Sequence, residues 1–386
     1  MTAAPRGFAD AEFAARVVRA QAVMKTRGLS ALLLTTEPEI RYFTGFLTRF
    51  WESPTRVWFL VIPLIGDPVA VIPSIGAHLM GQTWLRDIRT WQAPDYHDDG
   101  IGLLVDALRE VCGADGLIGV PDQMETHVRM PLSGFRLLEQ HLGAERLVTD
   151  GALVRQLRMV KSDAEIAKIE MACCVANRAF ARVSEIARVG DPLADVFRGF
   201  QRLCLEEGAD FVPYVAGAAG QGGYGDVISP AGDEPVEAGD VLMLDTGLVW
   251  DGYYCDFDRN FSLGAPSDAV IDAHKRLITA THVGFEAAKV GATMADLFHA
   301  MNAVVDPHGA GSAGGRLGHG LGMQLTEWPS IIAQDHTVLE AGMVLTLEPC
   351  VAVGAGKIMV HEENIVITPQ GPRFLSEFQS GMLEVI

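Results

Sequence analysis

The order of apolar and polar positions divides the chain near residue 160. Residues 10–27 (DAEFAARVVRAQAVMKTR) carry apolar side chains at helical spacing and run into Gly28, a helix-ending residue. Short apolar runs follow at 29–34, 57–62, 69–72 and 117–120, with helical windows at 101–111 and 131–142 between them. Strand alternating with helix predicts an α/β domain, bounded here at residues 1–155. Beyond it, Ser162 with Glu165 three residues later forms a capping box ahead of a helical pattern over 162–188. Two more helices fit 193–207 and 268–289. The chain then turns strand-rich at 241–245, 253–261, 343–351 and 358–367. These segments read as hairpins, so residues 156–386 are expected to form an α+β domain of antiparallel strands packed on helices.

Composition narrows the partners. Of 386 residues, 49% are hydrophobic and 20% charged, enough to bury a sizeable core and to exclude disorder. The formal net charge of −19 repels phosphate backbones and anionic membranes, so neither nucleic acid nor a membrane is an expected partner. The apolar stretch 57–65 is broken by Pro63 and is far shorter than the roughly 20 residues of a membrane span. The first residues lack the apolar core of a secretory signal. Six cysteines without a C-x-x-C pair read as reduced thiols in a cytoplasm. A mean hydropathy of +0.20 points to a buried subunit interface. No repeat of solenoid period is present.

Chemistry concentrates in two hairpins. In DVLMLDTGLVWDGYYCDFDRNF, Asp251-Gly252 is a hairpin turn signal that sets Asp245 opposite Asp258 and one diagonal step from Asp256. A turn at Trp250-Asp251 would instead set Asp245 directly opposite Asp256, and either keeps the three acids on one face. In the second, MVLTLEPCV and KIMVHEENIVIT flank Gly354-Ala355-Gly356, which sets Glu348 opposite Glu362. Like charges facing each other on apolar strands repel, unless something positive lies between them. Two such pairs in one domain point to a cation site. Four carboxylates exceed the needs of one catalytic zinc and suit two divalent ions, ~3.5–4 Å apart, that share a bridging hydroxide as nucleophile. An imidazole adds a transition-metal preference, and His319 in GGRLGHGLGMQL is the candidate, with glycines on both sides. His361 adjoins Glu362 and points to the other strand face, so it reads as structural.

The stretches LMLDTG, YYCDFDRNF, GHGLG, VLTLEP and HEENIVIT, with LRMVKSDAEI at 157–166 and RYFTGF at 41–46, resemble the pita-bread metallopeptidases: Xaa-Pro aminopeptidase, prolidase, methionine aminopeptidase and the related creatinase. The resemblance implies a C-terminal pita-bread catalytic domain over 156–386 behind a smaller creatinase-like α/β domain over 1–155. It implies Asp245, Asp256, His319, Glu348 and Glu362 as metal ligands, with Glu348 also exchanging protons and His319 in the catalytic set. The implied cofactor is a pair of divalent ions, Mn2+ first, with Fe2+, Co2+ or Zn2+ as alternatives. The chain departs from the pattern where Xaa-Pro peptidases carry two further histidines: it has Ile228 and Thr326 there, and Val360 in place of an arginine. The resemblance also implies a homodimer whose loop at 47–56 reaches the partner's active site, which makes Trp51 and Arg56 substrate contacts. Trp250, Tyr253 and Glu327 complete the expected pocket.

The leading function is a dinuclear hydrolase of small C–N substrates, Xaa-Pro dipeptidase- or aminopeptidase-like. The alternative is a non-peptidase member acting on a small osmolyte-like carboxylate, as dimethylsulfoniopropionate lyase or creatinase does. That lyase shares with this chain a Glu-Trp-Pro, here at 327–329. A binding module without catalysis is the third reading. The first two divide on whether a His or Arg near Ile228 and Thr326 replaces the absent groups.

Overall fold

Phe13, Val17, Ala20 and Met24 form the buried stripe of helix α1 (Asp10–Arg27), and Gly28 closes it at φ 69°, returning its N–H to the carbonyls of Lys25 and Met24. The computed structural model describes residues 4–53, 57–308, 315–354 and 356–386. It forms two units, Pro5–Arg158 and Met159–Ile386.

The first unit continues through β1 (Leu29–Leu34), α2 (Glu37–Thr44), β2 (Phe59–Pro63), β3 (Val69–Pro73), α3 (Ala77–Met80) and β4 (Asp87–Trp91). It ends with α4 (Ile101–Cys112), β5 (Leu117–Val120), α5 (Leu132–Leu142), β6 (Leu147–Thr149) and α6 (Leu153–Met159). Its sheet runs β4-β3-β2-β1-β5-β6. β2 is antiparallel to both neighbours and the remaining pairs are parallel, an α/β layer arrangement. Leu33, Phe59, Val71, Leu104, Leu108 and Leu138 pack as its core, each contributing roughly 1.5–3 kcal/mol on burial. The edge strands β4 and β6 carry no fully buried residue, so the apolar pattern that marks the other strands is missing from them.

In the second unit, α7 (Asp163–Phe180) opens on the capping box: Ser162 Oγ accepts the Glu165 N–H at 3.4 Å, and the Glu165 carboxylate accepts the Ser162 N–H at 2.9 Å. The periodicity predicts helix to residue 188, yet α7 stops at Phe180. There Arg182 is drawn to Glu185, Glu206 and Glu207 at 2.8–3.0 Å, and residues 183–185 make a single 3-10 turn. The chain proceeds through α8 (Leu193–Glu206), β7 (Phe211–Gln221), β8 (Asp240–Trp250), β9 (Tyr253–Tyr254), β10 (Phe257–Ser262), α9 (Asp268–Ala287) and α10 (Met294–Val305). It closes with β11 (His319–Gly320), β12 (Glu327–Ser330), β13 (Val344–Leu347), β14 (Cys350–Gly354), β15 (Lys357–Val360), β16 (Glu363–Thr368), β17 (Gly371–Phe374) and β18 (Glu384–Val385).

One sheet runs β18-β10-β8-β7 with β9 on β8, a second runs β12-β11-β13-β16-β17, and β14-β15 is a separate ribbon. Helix α9 covers Val241 and Met243, together with Val351 and Met359. Helix α10 covers Leu345, Leu347, Ile365 and Ile367. The fold is α+β, as the strand and helix order predicts. Both hairpins keep the register set by their turns: Asp245 pairs with Asp258, while Leu347 pairs with Glu363 and Cys350 with Val360. The second hairpin is split where one long hairpin is expected. Pro349 has no N–H for the ladder, so β13 and β14 join different sheets, and Glu348 and Glu362 stand at the gap. No described helix is long and apolar enough to cross a membrane. All six cysteines are free thiols.

Candidate metal centre

Three short-range constraints shape the site. The first hairpin delivers Asp256 from the link between β9 and β10 and Asp245 from the middle of β8. The gap in the second delivers Glu348 and Glu362. The third constraint is glycine. Gly318 sits at φ 143°, where a Cβ would come within 2.3 Å of the Thr346 carbonyl oxygen, and a Cβ on Gly320 would come within 2.6 Å of that of Trp328. This approach lets His319 N–H bond Thr346 Oγ1 at 3.0 Å and carries the ring between the two hairpins.

Asp256, His319 and Glu362 each bring one ligand atom to within 4.8 Å of the other two, and all three residues are buried. His319 Nε2 lies 3.4 Å from Asp256 Oδ2 and 4.0 Å from Glu348 Oε1. His319 Nδ1 is 2.8 Å from the Gly320 carbonyl oxygen, which can only accept, so Nδ1 carries the proton and the Nε2 lone pair faces the acids. Asp245 Oδ1 and Glu362 Oε1 are buried without a hydrogen-bond donor. Orphaned anionic oxygens around an imidazole lone pair suit a divalent cation. Asn364 fixes the cradle by accepting the Asp256 N–H at 3.0 Å and donating to the Asp256 carbonyl.

The electrostatics agree. Burial, then the charges of Asp256, Asp258 and Glu348, push the Asp245 carboxyl well up, against a hydrogen bond from Tyr214. Burial does the same to Asp256, opposed by Arg316, and to Glu362, reinforced by Asp256, Glu348 and Asp245. Glu348 is raised by burial and held back by His319 and Arg316. Two like charges 4 Å apart repel by about 4 kcal/mol at an effective dielectric of 20, so this group must carry protons or positive ions. Behind it, His361 lies 3.7 Å from Asp258 and 3.2 Å from Glu363, buried and away from the ligand oxygens.

The other sequence-derived candidates fall elsewhere. Trp250 and Tyr253 pair with each other across β8 and β9 on the strand face opposite Asp245, where Tyr253 donates to Glu165 at 3.0 Å and Trp250 stacks near the Lys168 ammonium. The pleat alternates sides, so an odd-numbered acid on β8 cannot share its face with Trp250. Glu327 pairs with Lys161 at 3.1 Å and accepts the N–H groups of Met323 and Gln324, which ties down the turn after His319. Trp51, in the first unit, packs on Trp58, and Arg129 lies over its ring and donates to its carbonyl. Arg56 lies outside the described residues. Ile228 is 80% exposed.

Two residues beside the acids escape sequence reasoning. Tyr214 sits on β7, an alanine- and glycine-rich strand without alternation, and its hydroxyl is held protonated by burial and by Asp245, Asp256 and Glu362. Arg316 donates from Nε to Glu348 Oε1 at 3.2 Å and from Nη2 to Thr326 Oγ1 at 3.3 Å. Its signal was legible: with His319 it is the only ionisable residue between 309 and 326.

Gly318→Ala should displace His319. The backbone conformation alone costs about 1–3 kcal/mol in a non-glycine residue, and the clash with the Thr346 carbonyl adds to it. A lower melting temperature and substoichiometric metal by elemental analysis are the expected results. Full metal content would show that His319 keeps its place.

The sequence profile of metallopeptidase family M24 matches residues 167–369, and that of the creatinase/prolidase N-terminal domain matches 16–160. The chain is 30% identical over 367 residues to "Probable dipeptidase PepE" of Mycobacterium tuberculosis, covering 94% of this chain and 93% of that protein. Among solved structures, dipeptidase PepE from Mycobacterium ulcerans is similar with a TM-score of 0.85 at 28% identity, over 98% of this chain and 99% of that one. An X-Pro aminopeptidase from Thermotoga maritima follows with a TM-score of 0.81 at 25% identity, over 96% and 99%.

Proposed function

The chain belongs to metallopeptidase family M24 and is a metal-dependent hydrolase, and from that premise we propose that it is a dinuclear dipeptidase of the Xaa-Pro type. The observation that carries this reading is the buried convergence of Asp256, His319 and Glu362, with orphaned oxygens on Asp245 and Glu362. In it, residues 156–386 form the catalytic domain and residues 1–155 a creatinase-like α/β domain.

Asp245, Asp256, His319, Glu348 and Glu362 hold two divalent ions, manganese first, with iron, cobalt or zinc as substitutes. When bound, such ions supply a hydroxide nucleophile near neutral pH and polarise the amide carbonyl. The protein's own groups do the rest. His319 is kept in one tautomer by the Gly320 carbonyl, so Nε2 stays a ligand. Glu348, with its side chain 24% exposed, is open to substrate on one side. Its carboxylate takes the proton of the attacking water and delivers it to the departing nitrogen, a short-range transfer that a carboxylate performs well. Trp250, Tyr253 and Glu327 support the site from behind, through Lys168, Glu165 and Lys161. Trp51 and Arg56 serve as contacts supplied across a homodimer.

The test is a screen of manganese- or iron-loaded protein against Xaa-Pro dipeptides, other dipeptides, betaines, sulfonium acids and guanidino acids. Xaa-Pro dipeptides should be cleaved with the largest kcat/KM. Turnover confined to a betaine, sulfonium or guanidino acid would overturn the peptidase reading. Sedimentation should give a dimer, and a fully active monomer would remove Trp51 and Arg56 from the site.

A further inference from the structure

Directly opposed residues on two paired strands point to the same face of the sheet. Thr346 of β13 and Asn364 of β16 are such a pair, and both are fully buried. Each commits its side chain to the backbone of a metal-centre residue. Thr346 Oγ1 accepts the His319 N–H at 3.0 Å, and Asn364 Oδ1 accepts the Asp256 N–H at 3.0 Å. One rung of the sheet therefore holds both segments whose side chains meet 3.4 Å apart, at His319 Nε2 and Asp256 Oδ2.

Asp256 lies in the link between β9 and β10 rather than in a strand. The Asn364 amide supplies the acceptor and the donor that a neighbouring strand would offer, since its Nδ2 also donates to the Asp256 carbonyl. The Asn364 main chain is fixed as well, its N–H on Ser376 Oγ at 2.9 Å and its carbonyl on the Leu375 N–H at 2.8 Å. A third element then holds the amide itself. The thiol of Cys173, fully buried on α7, donates to the same Oδ1 at 3.3 Å. With two donors on Oδ1 and an acceptor on Nδ2, an amide turned over would set donor against donor and acceptor against acceptor.

We propose that Cys173 is a positioning residue of the metal centre: acting through Asn364, it holds Asp256 in place against His319 and so sets how tightly the centre binds its ions. Neither Cys173 nor Asn364 has exposed surface with which to touch substrate. The assignment rests on the metal-binding part of the reading above and holds whatever the substrate is.

The test titrates cobalt(II) into the metal-free full chain. Binding is read by calorimetry and by the visible absorption of the bound ion, which follows its ligand geometry. Asn364→Ala should weaken cobalt binding by about 10–100-fold, the usual cost of removing a group that orients a ligand, and alter the spectrum. Cys173→Ala should weaken it by about 3–10-fold, the range of one neutral hydrogen bond. Cys173→Ser restores a donor of similar size and should recover most of that loss. In the Asn364→Ala background, Cys173→Ala should cost nothing further, because the thiol acts only through the amide. Melting temperature serves as the control for folding, and if Asn364→Ala does not fold, the two cysteine variants carry the test. Wild-type affinity and spectrum in Cys173→Ala, equal losses in the alanine and serine variants, or additive losses in the double variant would each overturn the assignment while leaving the metal centre standing. A wild type that binds no cobalt would sink both.

Discussion

Glu362→Ala and Asp256→Ala should each abolish stoichiometric metal binding and lower turnover by about 10³-fold or more. Losing several kcal/mol of transition-state charge stabilisation has that effect, since each 1.4 kcal/mol is tenfold. Both side chains are buried at the convergence of the two hairpins, each with an oxygen within 4.8 Å of a His319 ring nitrogen. The stability effect should have the opposite sign in metal-free protein. Removing one of several mutually repelling buried carboxylates leaves the metal-free variant at least as stable as metal-free wild type. Manganese should then raise the melting temperature of wild type and leave the variants unmoved, because only a folded state that binds the ion gains from it. Elemental analysis and melting curves with and without manganese decide the matter. A variant that retains its metal would remove these residues from the ligand set.

The second large effect is in pH. In the metal-free chain Asp245, Asp256 and Glu362 have carboxyl groups raised well above their ordinary values, chiefly by burial. A raised folded-state pKa means stability that is complete below the unfolded carboxylate range, about pH 4, and is lost as pH climbs through the raised values. Metal-free protein should therefore melt at a lower temperature at pH 8 than at pH 5. In a catalytic unit of this size each kcal/mol lost is a fall of about 2–4 °C. Loaded protein should show the reverse, because bound cations hold the same groups ionised and protons compete with them on acidification. Loading at pH 6 should accordingly release protons, measurable by calorimetry in buffers of different ionisation enthalpy. A metal-free melting temperature that rises steadily from pH 5 to pH 8 would contradict the burial of these charges.

Much of the catalytic unit can be read from local rules. Asp251-Gly252 sets one register, with Asp251 at φ 46° and Gly252 at φ 79° in the turn, and the pleat then decides which acids share a face. The second hairpin keeps its register on both sides of its gap, although a bulge near Gly354 shortens the loop by a residue. Strand β7 and helix α10 escaped notice. The first has small residues where alternation would show, and the second follows a proline-free turn whose signal is a Thr293–Asp296 capping box. The early end of α7 was illegible for another reason. Its periodicity continues past Phe180, and the competing pull on Arg182 comes from acids on α8 and just beyond it.

The sequence alone determined that the acids of each hairpin converge on one face, because turn chemistry and the two-residue repeat of a strand act over a few residues. It also determined that an imidazole between glycines could approach them. Tertiary structure alone decided which side chains are turned away. Trp250, Tyr253 and Glu327 are taken up by Lys168, Glu165 and Lys161, residues that stand far from them along the chain. It alone decided, too, that Arg316 leans on Glu348 and Thr326. Such pairings depend on where whole elements pack, and a long side chain is claimed by whichever partner that packing brings within about 3 Å.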